Sequence, residues 1–371
     1  MSLFYATLLA TLLLISRASA ASVVSWTNQA DVVCVAVCNA QQATPEIFMF
    51  DANASYRTQT NSFHVLSSLK GIKQTEIVVK THSLDIDSLF AKGITSFSYP
   101  EYFWKFKQKQ NYLLFLKKDT KSETYSLVSP YDRDESAILV DELYRGDAGS
   151  TSPLVQSLLQ LIPSLSSADE SVKLNIIDFV GKYGEVLEQR NFYSRADAPI
   201  SPEALKERQE LSSVVSAQVE PVLMNISRTG NETEKANSLV ALAKLQVVSV
   251  IPSLVGLASS GSSFSKMAAL ALGDYRTDAA APLLAPLVIG QKATIKEAAS
   301  YSLKTLTDPA SIPFLIKALD DPDIALRYNA VSALCMITGE MPPVAYANYL
   351  SKETKYKIFW KSWKPAPKAG A

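Results

Sequence analysis

Residues 311–334 read "SIPFLIKALDDPDIALRYNAVSAL". Pro313 stands where a proline can open a helix, because the first turn leaves its N–H groups unbonded anyway. Apolar residues follow at helical spacing, then an acidic turn, then a second periodic stretch that carries Arg327. Nothing in the unit is reactive, and its meaning depends on whether it recurs. Prolines able to open a first helix stand at Pro221, Pro252, Pro282 and Pro313, at spacings of 31, 30 and 31. A basic residue inside the second helix stands at Lys235, Lys266, Lys296 and Arg327, again at 31, 30 and 31. Lys173 lies 62 residues before Lys235, two periods back, with Pro153 ahead of it. The frames "VKLNIIDFVGKYG", "EKANSLVALAKLQ", "SKMAALALGDYRT", "IKEAASYSLKTLT" and "LRYNAVSALCMIT" surround these cations. Two markers in one phase identify an array of helix pairs.

One pair of about 30 residues cannot bury enough apolar area to offset its ordering entropy. Stacked pairs share a core through positions such as Leu315, Ala318, Leu319, Ala330 and Leu334. Small Ala and Ser residues let neighbouring pairs approach closely. Asp320, Asp321 and Asp323 crowd the turn, where they can cap the second helix and suit its positive end. The basic row at Lys235, Lys266, Lys296 and Arg327 has two readings. It is either a ladder that ties each unit to turn carboxylates or carbonyls of the next, or a strip that faces a partner.

Upstream the grammar differs. "DVVCVAVCNA", "EIFMFDA", "TEIVVKTH", "NYLLFLKK" and "TYSLVSPY" are short runs rich in β-branched and aromatic residues, punctuated by turn formers. They predict a small antiparallel β-barrel or sandwich over 21–147. Residues 148–152 would then be a linker and 153–345 an α-solenoid of five or six units, ending in an aromatic cap and basic tail over 346–371. The segment 83–110, with Tyr102, Phe103 and Trp104, is too long for a plain hairpin loop and predicts a projecting, partner-binding insertion. Around 187–218, "SPEALKERQELSSVVSAQ" predicts a degenerate unit or an extra helix.

Residues 1–20, "MSLFYATLLATLLLISRASA", carry an apolar run followed by Ala18-Ser19-Ala20, the small-x-small pattern of a signal-peptidase site. The run is short for a hydrocarbon core of about 30 Å. Cleavage after Ala20 and a secreted or periplasmic product are expected. The chain has 371 residues and a net charge of zero; without Arg17 it carries 35 basic against 36 acidic residues, a net charge of −1. Such a balance lacks the basic footprint of nucleic-acid binding.

With these residues on the page, resemblances follow. "PFLIKALDDPDIALRYNAVSAL" resembles a HEAT repeat of the short, phycobilin-lyase-like type, and the other units over 152–340 resemble it more loosely. The order of leader, β-region and array is similar to bacterial extracytoplasmic HEAT-repeat proteins. The strands "DVVCVAVCNA", "FHVLSSLKG", "EIVVKTH" and "YLLFLKK" resemble a netrin-type, oligonucleotide-binding-fold barrel. Tissue inhibitors of metalloproteinases use that barrel with an N-terminal cysteine on zinc. Here the expected N-terminus is Ala21 and the nearest cysteine is Cys34, so the mechanism does not carry over. The lyase label implies bilin chemistry, for which the chain offers no Cys/His cluster.

Chemistry is sparse. Cys34 and Cys38 share one side of a strand about 13 Å apart, either as buried thiols or, through an irregular strand or other partners, in a disulfide. Cys335 falls on an apolar helix face. His64 and His82 are the two histidines, each in or beside a strand without a metal-like spacing. The carboxylates at 132–135 read as a solvated turn. Asn53, Asn225 and Asn231 match the glycosylation acceptor pattern, which matters in a eukaryotic host alone. No catalytic, cofactor or metal site is expected. The tail "KETKYKIFWKSWKPAPKAGA" has six Lys against one Glu over 352–371. Tyr356, Phe359, Trp360 and Trp363 there either cover the open end of the array or meet a membrane, glycan or partner. The expected function is a non-enzymatic scaffold that binds a protein partner in the array groove. The rivals are an enzyme with a site between β-region and array, and a surface- or glycan-binding module using the tail.

Overall fold

From Val32 to Cys38 the side chains alternate between two faces, and burial on both explains why this run is almost wholly apolar. The computed structural model of the chain describes residues 23–49, 55–92, 106–128, 136–146, 149–187, 201–290, 292–342 and 345–364. Six strands form one sheet: β1 (Val32–Met49), β2 (Ser55–Lys70), β3 (Glu76–Leu84), β4 (Asn111–Lys118), β5 (Tyr125–Leu127) and β6 (Ala137–Val140). The order is β1-β2-β3-β5-β4-β6, and β1 also pairs with β4, so the neighbour list returns to its start. All pairs are antiparallel except β3–β5, which is parallel at Val79↔Tyr125 and Lys80↔Ser126. The expected sheet was antiparallel throughout. The departure arises because β4 runs on the far side of β5 and reverses direction before it.

Strands β5 and β6 follow each other along one edge of β4. Leu127 pairs with Leu116 and Ala137 with Leu114, so two residues along β4 correspond to ten along the chain. The expected carboxylate turn at 132–135 falls in that interruption, outside the described residues, as do Tyr102, Phe103 and Trp104 of the expected insertion.

One face of β1 and β4 sends Val32, Cys34, Ala36, Cys38, Tyr112, Leu114 and Leu116 into a core with Phe63, Phe106 and Tyr125. Phe106 stands edge-on to Phe63 at 4.8 Å and to Tyr112 at 4.9 Å, the geometry that aromatic quadrupoles favour. The other face buries Val33, Val35, Leu113 and Phe115. Helices α1 (Val23–Gln29) and α3 (Pro153–Leu161) lie on these strands, with Trp26 6.0 Å from Phe115. A further short helix, α2 (Ile86–Ala91), follows β3. Ser152 caps α3 by accepting from the Val155 N–H at 3.3 Å, with Pro153 in its first turn.

The chain divides into two compact units, Met1–Ile176 with Gln209–Val214, and Ile177–Arg208 with Val215–Ala371. The expected border at 148–152 falls inside the first. The helices α4 (Glu170–Lys182), α5 (Gly184–Leu187) and α6 (Pro202–Val214) follow. Residues 215–219 make a π-helical turn that joins α6 without a break to α7 (Glu220–Thr229). The ambiguous segment thus ends in an extra helix.

The second unit is helical, and its pairs follow the marked phase. They are α7 with α8 (Glu232–Lys244), α9 (Ile251–Ser259) with α10 (Ser265–Leu272), α11 (Ala281–Leu284) with α12 (Ala293–Leu303), and α13 (Ile312–Ala318) with α14 (Ile324–Thr338). Each of Pro221, Pro252, Pro282 and Pro313 lies in the first turn of its helix. α8 starts with a capping box in which Asn231 and Glu234 bond each other's backbone N–H. α14 ends on Gly339, whose φ of 68° closes the helix in a left-handed turn. Leu254, Ala268, Leu272, Leu284, Ala299, Leu303, Leu315, Ala330 and Leu334 form the buried stripes between pairs.

Close approach is sharpest at Gly184, where a Cβ would sit 1.9 Å from the Lys244 carbonyl oxygen and 2.5 Å from its carbon. Gly181, one turn earlier, leaves room for Ala241. The G184A variant forces backbone against backbone and should lose about 1–3 kcal/mol of stability by chemical denaturation. An unchanged denaturation midpoint would refute the close packing.

Candidate functional site

The second helices place their cations alike. Lys235, Lys296 and Arg327 are each the fourth residue of their helix, and Lys266 is the second of the shorter α10. Their partners differ. Lys296 forms an ion pair with Asp321 of the following turn, and both side chains are mostly buried. Arg327 reaches Glu353, the first residue of the C-terminal helix Glu353–Ser362, and donates to the carbonyls of Asp321 at 2.7 Å and Pro322 at 2.9 Å. These two cations are the ladder. Lys235 and Lys266 have no ion-pair or hydrogen-bond partner for their ammonium groups among the described residues, and Lys266 is exposed.

The three turn aspartates divide the work. Asp323 caps α14, accepting from the Ala325 N–H at 2.8 Å. Asp321 accepts from the Asp323 N–H at 2.9 Å through one oxygen and holds Lys296 with the other. Asp320 takes Lys357 at 2.8 Å and Lys361 at 2.7 Å. Neutral bonds at about one repeat's spacing reinforce the stack. The Tyr275 hydroxyl donates to the Val247 carbonyl at 2.9 Å, and the Ser302 hydroxyl to the Tyr275 carbonyl at 2.6 Å. Gln246, held at a left-handed φ of 65°, accepts from the N–H groups of Arg276 and Thr277. No periodic marker pointed to Gln246, because its role needs the backbone of the following unit.

Beyond α14 lie α15 (Tyr346–Leu350) and α16 (Glu353–Ser362), the latter packed on α14. Trp360 is fully buried and Tyr356 nearly so, while Phe359 and Trp363 are half-buried. Trp360 meets Phe359 edge-on at 4.9 Å and Trp363 at 6.0 Å. Tyr328 of α14 joins Tyr346 and Tyr349 at 5.0 and 5.5 Å. The inward half of the tail is therefore a lid, and two of its lysines are neutralised by Asp320.

The thiols and imidazoles stand apart from one another. Cys34, Cys38 and Cys335 are buried free thiols, and burial pushes Cys34 up to about 12 and Cys335 to about 11. That is far from the thiolate a nucleophile needs. His64 meets Glu76 at 2.7 Å on an exposed patch, a cross-strand pair set by register. His82 faces Thr58 on the same ladder, six rungs away or about 20 Å along the strands. No group of metal-ligating side chains gathers among the described residues.

Two repeat families match the chain locally. The HEAT repeat covers residues 312–339, and the PBS lyase HEAT-like repeat covers residues 295–321. No curated protein matches. Similar solved structures include an archaeal HEAT-like repeats protein from Thermococcus onnurineus NA1, at 15% identity over 54% of this chain and 78% of that one, with a TM-score of 0.34. An engineered protein matches at 20% identity over 49% and 79%, with a TM-score of 0.31. The complex of CpcE and CpcF of phycocyanin lyase from Nostoc sp. PCC7120 matches at 20% identity over 49% and 77%, with a TM-score of 0.24.

Two outcomes test this geometry. Replacing Trp360 by Ala should cost about 3–5 kcal/mol of stability, whereas I358D, at a position 66% exposed, should cost little. A W360A protein of wild-type stability would remove the lid. The second outcome concerns pH. Hydrogen bonds from Lys357 and Lys361 hold the Asp320 carboxyl down at about 2. Burial pulls Asp321 upward, but Lys296, the Asp323 N–H and Arg327 together keep it below the usual range. Folded-state values below the unfolded ones mean stability that stands above the ordinary value of 3.8 and is lost as pH falls towards 2. The thermal midpoint should fall across that window, and less steeply in D320N/D321N; parallel curves for the two proteins would count against the ladder.

Proposed function

We propose that this chain is a secreted or periplasmic, non-enzymatic scaffold that holds a protein partner along its array of HEAT-type units. The observation that carries this reading is the array itself. Helix pairs in one phase extend from residue 220 to residue 338, with HEAT-type matches over 295–339. Stacked pairs repeat one surface at regular intervals, and that geometry suits an extended partner segment. Gln246, Tyr275, Ser302 and Lys296 are each held in a joint between neighbouring units, so these polar groups serve rigidity.

Residues 1–20 act as the leader, with cleavage after Ala20, and the N-terminal strands form a netrin-like barrel. The pairing sequence from β1 through β2, β3, β5 and β4 back to β1, with a helix between β3 and β4, supports that second assignment. The 83–110 segment adds a second contact for the partner.

The test is crosslinking of the tagged full chain in its native compartment, followed by mass spectrometry of what co-purifies. A recurrent protein whose crosslinks map to residues 220–338 is the expected result. Crosslinks confined to glycan or lipid, or no protein under several chemistries, would overturn the scaffold. N-terminal sequencing of the isolated protein should begin at Ala21; a retained Met1 would overturn the leader.

A further inference from the structure

The ladder is incomplete, and where it stops has a reason legible in the turns. Asp321 lies six residues before Arg327. The same offset before Lys296 is Gly290, and before Lys266 it is Ser260. Ser260 is the structural counterpart of Asp321. Its hydroxyl oxygen accepts from the Ser262 N–H at 3.2 Å, just as Asp321 accepts from the Asp323 N–H at 2.9 Å. The turn is preserved, but Ser lacks the second, charged oxygen that Asp321 extends to Lys296. Gly290 offers no side chain at all. The cations that these turns would neutralise are Lys235 and Lys266, the two without a partner among the described residues.

The surroundings do not make up the deficit. Between Leu245 and Gly273 there is no acidic residue, and Lys266 is the one charged side chain in those 29 residues. Glu234 is committed to the capping box at the start of α8, and Glu232 forms no ion pair with Lys235. Both residues stand in the first turn of their helices, at the positive end of the dipole, where a cation is least favoured and an anion most.

We infer that Lys235 and Lys266 are the partner-facing rungs of the array, and that they take an acidic segment whose carboxylates occupy the places left vacant by Ser260 and Gly290. Charge complementarity names the occupant: the chain supplies its own carboxylates where the ladder is closed, and the partner supplies them where it is open. The inference rests on the scaffold reading and specifies its partner class.

The test uses the full chain and a fluorescein-labelled poly-glutamate peptide, followed by anisotropy at low and high salt. Binding should be seen and should weaken as salt screens it. K235E/K266E should reduce affinity about tenfold or more, as reversal of facing charges does. S260D is the sharper variant. One of its oxygens keeps the Ser262 bond and the other reaches Lys235, so the peptide should bind more weakly while the thermal midpoint rises. A weakened S260D protein with a raised midpoint cannot be explained by unfolding. The tail variant K355E/K364E should bind as the unaltered chain does. No binding by the unaltered chain, equal binding by K235E/K266E, or loss in the tail variant instead would each overturn the inference. A crosslinked partner recovered in spite of such a result leaves the scaffold standing, whereas no partner at all removes the scaffold.

Discussion

The second unit depends on a shortage that every helix pair shares. A pair of about 30 residues exposes one apolar stripe it cannot cover, and ordering it costs more than its own contacts return. Cover must come from the neighbour. That requirement explains the small residues at the contacts, the glycines at 181 and 184 that admit the Ala241–Lys244 turn, and the buried Leu and Ala stripes. It also explains the ends. The last pair has no neighbour, so α16 turns Tyr356 and Trp360 inward, and an aromatic-rich tail becomes a lid.

Polar joints then fix how the pairs sit. Hydrophobic burial is non-directional and tolerates sliding, whereas a hydrogen bond between units does not. Gln246, Tyr275 and Ser302 supply such bonds in the middle of the stack, and Lys296 with Asp321 and Arg327 with Glu353 supply charged ones near its end. Lys244 with Asp178 adds an ionic joint at the start of the stack. Lys235 and Lys266 have no counterpart among the described residues, so one structural row becomes two surfaces of different character.

The N-terminal strands solve the burial problem differently. β1 and β4 are buried on both faces, by the aromatic cluster on one and by α1 and α3 on the other. This is why "DVVCVAVC" and "YLLFL" read as nearly unbroken apolar runs, and why Cys34 and Cys38 end as inert core thiols.

The residue pattern alone determined the repeat phase, the opening prolines, the row of cations and the contrast between strand-rich and helix-rich halves, because periodicity reflects burial directly. It did not reveal which strands pair, since register such as His64 against Glu76 depends on contacts distant in sequence. Nor did it separate the closed rungs from the open ones. A lysine in phase looks the same at 235, 266 and 296; what differs is an oxygen contributed by a turn some 25 residues away. Tertiary structure decided that, because an ion pair is set by distance in space, and the stack is what brings one unit's helix to the next unit's turn.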